Sequence, residues 1–564
     1  MARSRRRCAG AAAMSFVQSA PELGNQYRDD RVLRSYLART LPAALRETIE
    51  PDLELLGQHA ADAWNERTHR PRSEPVFTPW DAWGNRVDRI ALTPAWQEGP
   101  GIATRHGLIA AGHDEATGEH ARVHQFALVY LYHVASEFYT CPLAMTDGAA
   151  TALKASGNAA LIARAVPRFL SRDAATFWLS GQWMTETAGG SDVGRSETEA
   201  RRGADGQWRL YGRKWFTSAV VGEAALTLAR PEGVGSGGSA LAMFYLETHD
   251  AEGRWQGVRI DRLKDKLGTR ELPTAEIHLD GALATPVGEL RNGVRMIAPV
   301  LNITRLWNAV CSLATMRRCL ALARDYAHRR SAFGRTLLEQ PLHVDTLAGM
   351  QAEFEAAFHL SFHVAELLGR AQAGVASAGE RALLRLLTPL AKLWTGKLAV
   401  KIASETLEAF GGMGYLEDTG LPQLLRDAQV YPIWEGTTNV LALDALRVLE
   451  GGGLAPWRHA LDALLDATGA DHAAIRADAD AAEAWLRGCA DDRLALEAGA
   501  RGLALTLTRC FAAALLARHA AWALSVQADR RPHAALQRFL AHGLQHLRRH
   551  DIDDAATLAN DFHP

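Results

Sequence analysis

Glu408-Ala-Phe-Gly-Gly-Met-Gly-Tyr415 and, downstream of it, Arg426-Asp-Ala-Gln-Val-Tyr-Pro-Ile-Trp-Glu-Gly-Thr-Thr-Asn439 join a glycine-rich turn to one carboxylate set beside an aromatic. Gly411, Gly412 and Gly414 follow a helical run, Lys397 to Phe410, which they can end. Their bare amides can also approach an anionic cofactor. Glu435, between Trp434 and Gly436 and ahead of another helical run, is a candidate base. Alone, each signal is bland. Gly-Gly-x-Gly commonly punctuates helices, and an acid at a helix start complements the helix dipole.

Two further stretches decide the reading. The first is Met184-Thr-Glu-Thr-Ala-Gly-Gly-Ser-Asp-Val193, followed by Gly212-Arg-Lys-Trp-Phe-Thr-Ser218. The second is Arg329-Arg-Ser-Ala-Phe-Gly334, on a long helical run that is expected to begin near Pro299 and contains Thr304-Arg305. Together the four elements resemble the flavin-dependent acyl-CoA dehydrogenase family. Its pattern runs Thr-Glu-x-x-x-Gly-Ser-Asp, then Trp-x-Thr, then Arg-x-x-Phe-Gly, then Gly-Gly-x-Gly-(Tyr/Phe) and (Tyr/Trp)-Glu-Gly-Thr. The match covers roughly residues 140 to 450.

The resemblance implies an α+β, mainly α, fold: an N-terminal helical domain, a central antiparallel β-domain, a C-terminal four-helix bundle and, here, an extra C-terminal helical domain. It also implies FAD as cofactor and an acyl-CoA as substrate. Glu435 would remove a proton from the carbon next to the thioester carbonyl while hydride leaves the following carbon for the flavin. A base in a water-poor pocket has its pKa raised, typically to roughly 6–7. Its own backbone amide would be one donor to the thioester oxygen.

Carried over residue by residue, Met184, Thr185, Gly190 and Ser191 would line the flavin, Trp215 would shield its ring and Thr217 would hydrogen-bond near N5. Ser191, Ser218 and Gly436 would face the substrate. Arg330 and Phe333 match residues that reach the dinucleotide part of FAD held mainly by a neighbouring subunit, so a homotetramer is implied; Gln340 matches another adenine-side residue, and Gly411, Gly412 and Gly414 would approach the cofactor through their amides. Thr437 and Asn439 match cofactor contacts after the base, and Arg305 would support the base indirectly. An electron-transfer flavoprotein, or another acceptor, would take the electrons.

Composition sets wider bounds. The 564 residues suggest roughly three or four domains, and 48% hydrophobic with 22% charged residues is ordinary globular usage. A formal net charge of -2 gives the whole chain no preference for nucleic acid or membrane. Cys8, Cys141, Cys311, Cys319, Cys489 and Cys510 are scattered without Cys-x-x-Cys spacing, which indicates neither a disulfide framework nor a metal site and suggests a reducing, cytoplasmic setting. No apolar run approaches the ~20 residues that span a bilayer. The start, Met1 to Cys8, has four arginines and no acid, and reads as a disordered tail, or as preceding a true start at Met14, rather than as a targeting segment.

Along the chain, residues 1–29 form the basic tail and leader, 30–180 the N-terminal helical domain, 181–290 the β-domain, 291–450 the helical bundle and 451–564 the extra helical domain. A loop-rich break is expected from Thr68 to Trp96. Phe138 to Gly148 reads as a loop, packed or lining a cleft. Short alternating segments at Trp208–Tyr211, Ala225–Ala229, Ala240–Leu246 and Glu276–Leu279 read as antiparallel strands. The loop Pro231 to Gly238 has no strand-to-helix context and so carries no phosphate site. The charges of Arg262 to Arg270 suit either a nucleotide-bearing substrate or a solvated strand end. Pro341 and Pro389 mark breaks or helix starts.

The residues beyond Gly451 look like the layout of the AidB subgroup, associated with the response to DNA alkylation. Between Arg501 and Arg549 eight arginines stand against a single acid, Asp529. After Pro532, Leu536, Leu540, Leu544 and Leu547 fall on one helical face, with Arg538, His542, His546 and Arg549 opposite. Arg538, Arg548 and Arg549 are thereby candidates for contacting duplex DNA. The alternative to the enzyme is therefore a DNA-associated flavoprotein with a weak or vestigial dehydrogenase site.

Overall fold

A computed structural model of the chain describes residues 19–67, 72–548 and 551–560. Residues 1–18 of the basic tail and leader, and Arg549, lie outside the described residues.

The first part carries helices α1 (Arg31–Thr40), α2 (Ala43–Asn65), α3 (Pro94–Arg105), α4 (Ala121–His133), α5 (Thr140–Ser156) and α6 (Ala159–Phe169). Between α2 and α3, where the prolines suggest only a loop, the chain forms the hairpin β1 (Val76–Trp80) and β2 (Arg86–Ala91). A two-stranded edge tolerates Pro79, and the Asp81 carboxylate holds the turn by accepting from the amides of Trp83 at 2.8 Å and Asn85 at 2.9 Å. The expected loop from Phe138 is helical from Thr140. Pro142 sits in the first turn of α5, where its missing N–H costs nothing.

The β-domain contains β3 (Ser180–Trp183), β4 (Glu199–Arg202), β5 (Trp208–Ser218), β6 (Ala224–Pro231), β7 (Ala242–Glu247), β8 (Val258–Leu263) and β9 (Thr274–Pro286). Its pairings close on themselves through β6, β4, β5, β9 and β7, with β3 beside β6 and β8 beside β9. The sheet is mixed, not purely antiparallel: β6 runs parallel to both β3 and β4. Strands far apart in sequence can meet in either sense, and alternation of side chains cannot tell which. Trp183, Leu210, Phe244, Leu246, Ile260 and Ile277 fill the interior.

The long helices follow: α7 (Gly293–Arg329), the small hairpin β10 (Ser331–Ala332) and β11 (Arg335–Thr336), α8 (Pro341–Gln372), α9 (Ala378–Ala409), α10 (Leu421–Ala428) and α11 (Thr438–Gly452). Pro341 opens α8 at its first position, and a reciprocal Ser377–Glu380 capping box starts α9. Pro299 and Pro389 instead lie inside α7 and α9. Packing of these helices outweighs the local proline signal.

The tail adds α12 (Ala455–Asp466), α13 (Ala473–Gly488), α14 (Arg493–Gln527), α15 (Arg531–Ala541) and α16 (Ile552–Ala559). By length and composition α14 could cross a membrane, contrary to the expectation from apolar runs, but 83% of its most apolar window is buried in the protein. One core runs without interruption from Tyr36 and Phe126 through Trp307, Phe358 and Trp394 to Trp457, Phe511 and Phe539. The tail helices are therefore part of the bundle's own core.

The expected helix through Leu547 ends at Ala541. Leu536 and Leu544 are buried as anticipated. The opposite, basic side is not free: Arg538 pairs with Asp345 and His542 Nδ1 lies 2.8 Å from Glu353 Oε1, both carboxylates on α8. Glu353 also receives the buried Arg509 guanidinium at 2.8 and 3.0 Å. Acids brought in by tertiary packing thus neutralise much of a face that looks basic in sequence.

Candidate functional site

Glu435 occupies the turn between α10 and α11 with φ of 58°, a left-handed conformation that a residue with a Cβ adopts only under constraint. Gly436 follows at φ of 101°. Three side chains supply the constraint. The Thr304 hydroxyl, on α7, lies 2.6 Å from Glu435 Oε2. That hydroxyl has one proton and also reaches the Val300 carbonyl at 3.1 Å, and the nearer, charged acceptor is the stronger claim on it. Arg305 Nε donates to the Glu435 carbonyl at 3.3 Å while its Nη1 pairs with Asp444 at 2.8 Å. Lys392 Nζ, on α9, donates to the Gly436 carbonyl at 2.6 Å.

The Glu435 residue keeps some exposed surface, but its carboxyl is enclosed by protein. That enclosure raises its pKa, against the pull of the Thr304 hydroxyl and the Arg305 and Lys392 charges. The same burial pushes Lys392 down to about 7, with the Glu435 charge resisting. A carboxylate held in one orientation, sheltered and with its pKa raised by burial, is a stronger base than an exposed one.

Around the turn lie more constrained backbones and buried polar groups. Glu137 and Phe138, at the start of α5, have φ of 45° and 62°, and the Phe138 ring packs 6.2 Å from the Trp434 ring, edge on. Beneath them His133 lies 2.6 Å from the Tyr431 hydroxyl and 2.7 Å from Thr140. Cys141 is within electrostatic reach of both Glu435 and Lys266, and burial raises its thiol. Lys266, pushed down to about 8 by burial, donates to the Leu272 carbonyl at 2.7 Å and to Thr274 at 3.1 Å. Thr274 in turn meets Ser218 at 3.1 Å. Polar contacts thus run from Lys266 through Thr274 to Ser218 on β5.

On β5 the expected flavin-facing residues come together with the Met184–Ser191 loop. The Trp215 amide donates to the Thr185 carbonyl at 2.9 Å, and a Cβ on Gly190 would sit 2.8 Å from Thr185 Oγ1. Beneath the loop a buried ion pair, Lys214 Nζ to Glu186 Oε1 at 2.6 Å, fixes its course, and Thr198 donates to the same carboxylate at 2.6 Å. Thr217 Oγ1 is buried and has no hydrogen-bond partner among the described residues. A buried hydroxyl left unsatisfied fits an absent polar edge, and with Trp215 half-buried beside it the wall suits a planar cofactor. Met184 is buried, whereas Ser191, Thr437 and Asn439 are exposed.

Other expected residues stand at the surface. Phe333, at φ of 52°, is 99% exposed in the β10–β11 hairpin, and Gln340 closes that hairpin by donating to the Ala332 carbonyl at 3.0 Å. Gly411, Gly412 and Gly414 form a short 3₁₀ turn after α9. Only Gly414 is buried, and a Cβ there would meet the Leu407 carbonyl oxygen at 2.0 Å. It ends the helix by close packing, while Gly411 and Gly412 leave their backbone open.

The charges of Arg262 to Arg270 are engaged within the protein. Arg262 and Lys264 pair with Glu276, Arg270 pairs with Glu74 and Asp265, and Lys264 lies 3.3 Å from the Trp215 ring centroid. In the loop Pro231 to Gly238, Arg230 is taken up by the carbonyls of Gly194, Ser196, Gly235 and Gly237. Lys392, Asp444 and the Thr304 contact went unread in the sequence. The only local sign was a charged residue inside the apolar run Leu390-Ala-Lys-Leu-Trp394, which implies a buried partner without naming it.

The sequence matches three family patterns: "Acyl-CoA dehydrogenase, C-terminal domain" over residues 291–449, "Acyl-CoA dehydrogenase, middle domain" over 181–282, and "Adaptive response protein AidB N-terminal domain" over 18–174. The chain is 42% identical over 533 residues to "Acyl-CoA dehydrogenase family member 11" of Caenorhabditis elegans, covering 90% of this chain and 86% of that one. It is 34% identical over 392 residues to "Putative acyl-CoA dehydrogenase AidB" of Escherichia coli, covering 66% and 69%. The crystal structure of Caenorhabditis elegans ACDH-11 in complex with C11-CoA aligns with a TM-score of 0.92 at 38% identity, covering 98% of each chain.

Proposed function

The chain belongs to the acyl-CoA dehydrogenase family, and from that premise we propose that it oxidises the α,β carbon–carbon bond of an acyl-CoA thioester with Glu435 as base. The observation that carries the reading is the enclosed Glu435 carboxyl, oriented by Thr304 and set in a left-handed turn. The C11-CoA bound to ACDH-11 supports an acyl-CoA ligand for this chain.

Met184, Thr185, Gly190, Ser191, Trp215 and Thr217 would hold FAD, which when bound supplies the hydride acceptor for the β-carbon. The protein's own part is to take the α-proton onto Glu435, so that the electron pair left behind forms the new double bond as hydride leaves. The Glu435 amide is the donor for charge developing on the thioester oxygen, and one such donor is typically worth ~3–4 kcal/mol. Thr304 and Arg305 keep the carboxylate aimed, and the apolar surround of Phe138, Tyr431 and Trp434 excludes water. The acceptor of the electrons is an electron-transfer flavoprotein on this reading. A homotetramer places Arg330 and Phe333 at a neighbour's cofactor, which accounts for an aromatic left 99% exposed. For the alternative DNA reading, Arg538 and His542 are engaged by α8, which narrows the open basic face, while Arg548 remains exposed.

The test is anaerobic bleaching of the purified yellow protein by a panel of acyl-CoA thioesters, in wild type and Glu435→Gln. The carboxamide keeps the shape but cannot act as base at neutral pH, so the variant should retain flavin and lose reduction. Bleaching of the variant at the wild-type rate would remove Glu435 from its role, and no bleaching of the wild type by any thioester would remove the reaction.

A further inference from the structure

Lys392 is wholly buried in the middle of α9, with Leu390, Ala391, Leu393, Trp394 and Thr395 around it also buried. An ammonium taken out of water is costly unless its charge is matched, and a hydrocarbon of similar volume would pack there at less cost. Packing alone therefore does not account for it. Its ammonium contacts the Gly436 carbonyl at 2.6 Å, the peptide immediately after the base, and the Glu435 carboxylate, though not in ion-pair contact with it, favours its charged form.

We infer that Lys392 is a positioning residue for Glu435, holding the turn that aims the carboxylate and supplying a positive charge that favours its ionised form against the burial. The inference rests on the reading of Glu435 as base. Two features of the geometry support it beyond proximity. First, Arg305 and Lys392 grip two consecutive carbonyls, those of Glu435 and Gly436. In planar trans peptides the amides of Gly436 and Thr437 must then point the opposite way, so the Lys392 contact sets the peptide that leads into α11. Second, the turn so held contains both left-handed residues, Glu435 and Gly436, and a strained turn persists only where its surroundings over-determine it.

The charged and polar groups facing Glu435 are few. Thr304 and Arg305 come from α7, Lys392 from α9 and the Cys141 thiol from α5, while Asp444 of α11 is taken by Arg305 and Arg385. Of the two cations, Arg305 is shared with Asp444, whereas Lys392 makes no ion pair with any carboxylate among the described residues and feels the charge of Glu435.

The test follows the protonation of Glu435 itself, as the infrared carboxyl band that is absent from Glu435→Gln, across pH in the holoprotein. In Lys392→Met the midpoint should rise by about one pH unit, because a neighbouring opposite charge has been removed. Lys392→Arg, which restores the charge, should return it towards wild type, and the pH profile of flavin bleaching should move in the same order. An unchanged midpoint in Lys392→Met, or a Lys392→Arg midpoint equal to that of Lys392→Met, overturns the inference, since a structural role alone would lower the unfolding temperature without moving the midpoint.

If Lys392→Met does not fold, reciprocity supplies the second measurement. The chain has seven lysines, so the Lys392 Nζ signal can be followed with nitrogen-15 labelled lysine in wild type and in the near-isosteric Glu435→Gln. Loss of the carboxylate should lower the Lys392 midpoint by about one unit, and no change would overturn the coupling. Neither titration needs turnover, so a failure of the dehydrogenase reading, seen as no bleaching by any thioester, is distinguished from a failure of this one.

Discussion

The Thr304 hydroxyl lies 2.6 Å from Glu435 Oε2, joining α7 to the turn before α11 across 131 residues of sequence. A hydrogen bond donated to a carboxylate favours its charged form. Thr304→Val keeps the shape and removes the donor, so the Glu435 pKa should climb further above its ordinary value. A base works deprotonated, so the pH profile of substrate-dependent flavin bleaching should shift upward by about one unit, with the rate at pH 7 reduced. A profile that overlies wild type would show that the contact does not bear on the base.

Gly412 and Gly414 sit two residues apart in the same 3₁₀ turn but should respond oppositely to a methyl group. A Cβ at Gly414 would meet Leu407 backbone atoms at 2.0 to 2.9 Å, whereas one at Gly412 meets nothing within 4 Å. Gly414→Ala should lose on the order of 1–3 kcal/mol of stability, and Gly412→Ala almost none. Denaturant midpoints of the two variants measured side by side check this, and equal losses would contradict it.

Phe333 is 99% exposed, so truncating it removes little from the folding of one protomer. Its replacement by Ala should nonetheless reduce both flavin content and the assembled mass seen by sedimentation, and Arg330→Ala should do the same. If either variant keeps wild-type flavin and mass, the hairpin does not serve a neighbour's cofactor.

His519 is buried, with Arg39 Nε donating to its Nδ1 at 3.1 Å and Ser35 lying 3.2 Å from Nε2. An Nδ1 that accepts leaves the proton on Nε2, so the ring is neutral. Burial, with the nearby arginines, depresses its pKa to about 3. The unfolded chain then binds the proton first, so the stability contribution is complete above about pH 6.5 and is lost progressively as pH falls towards 3. Between pH 7 and 5.5 this amounts to about 1 kcal/mol. Unfolding free energies at those two pH values should differ by that much less in His519→Gln than in wild type.

The sequence by itself determined the order of helical, β and helical parts, because periodicity and turn chemistry act within short windows. It also singled out Glu435 as the candidate base, since the Trp-Glu-Gly-Thr turn and its partner motifs each occupy a few consecutive residues. Trp215 and Thr185, named from separate motifs, are joined by one backbone hydrogen bond.

Only the tertiary structure decided what depends on distant segments meeting. The parallel pairing of β3 with β6 is set by how the chain returns to the sheet, and no alternation of side chains records it. The ammonium of Lys392 finds the Gly436 carbonyl 44 residues away. Arg538, on a stretch that looks uniformly basic, finds Asp345 193 residues away. Burial and charge pairing are properties of packed surfaces. A local window shows which side chains carry charge, but packing decides which of them lose their water and which partner neutralises them.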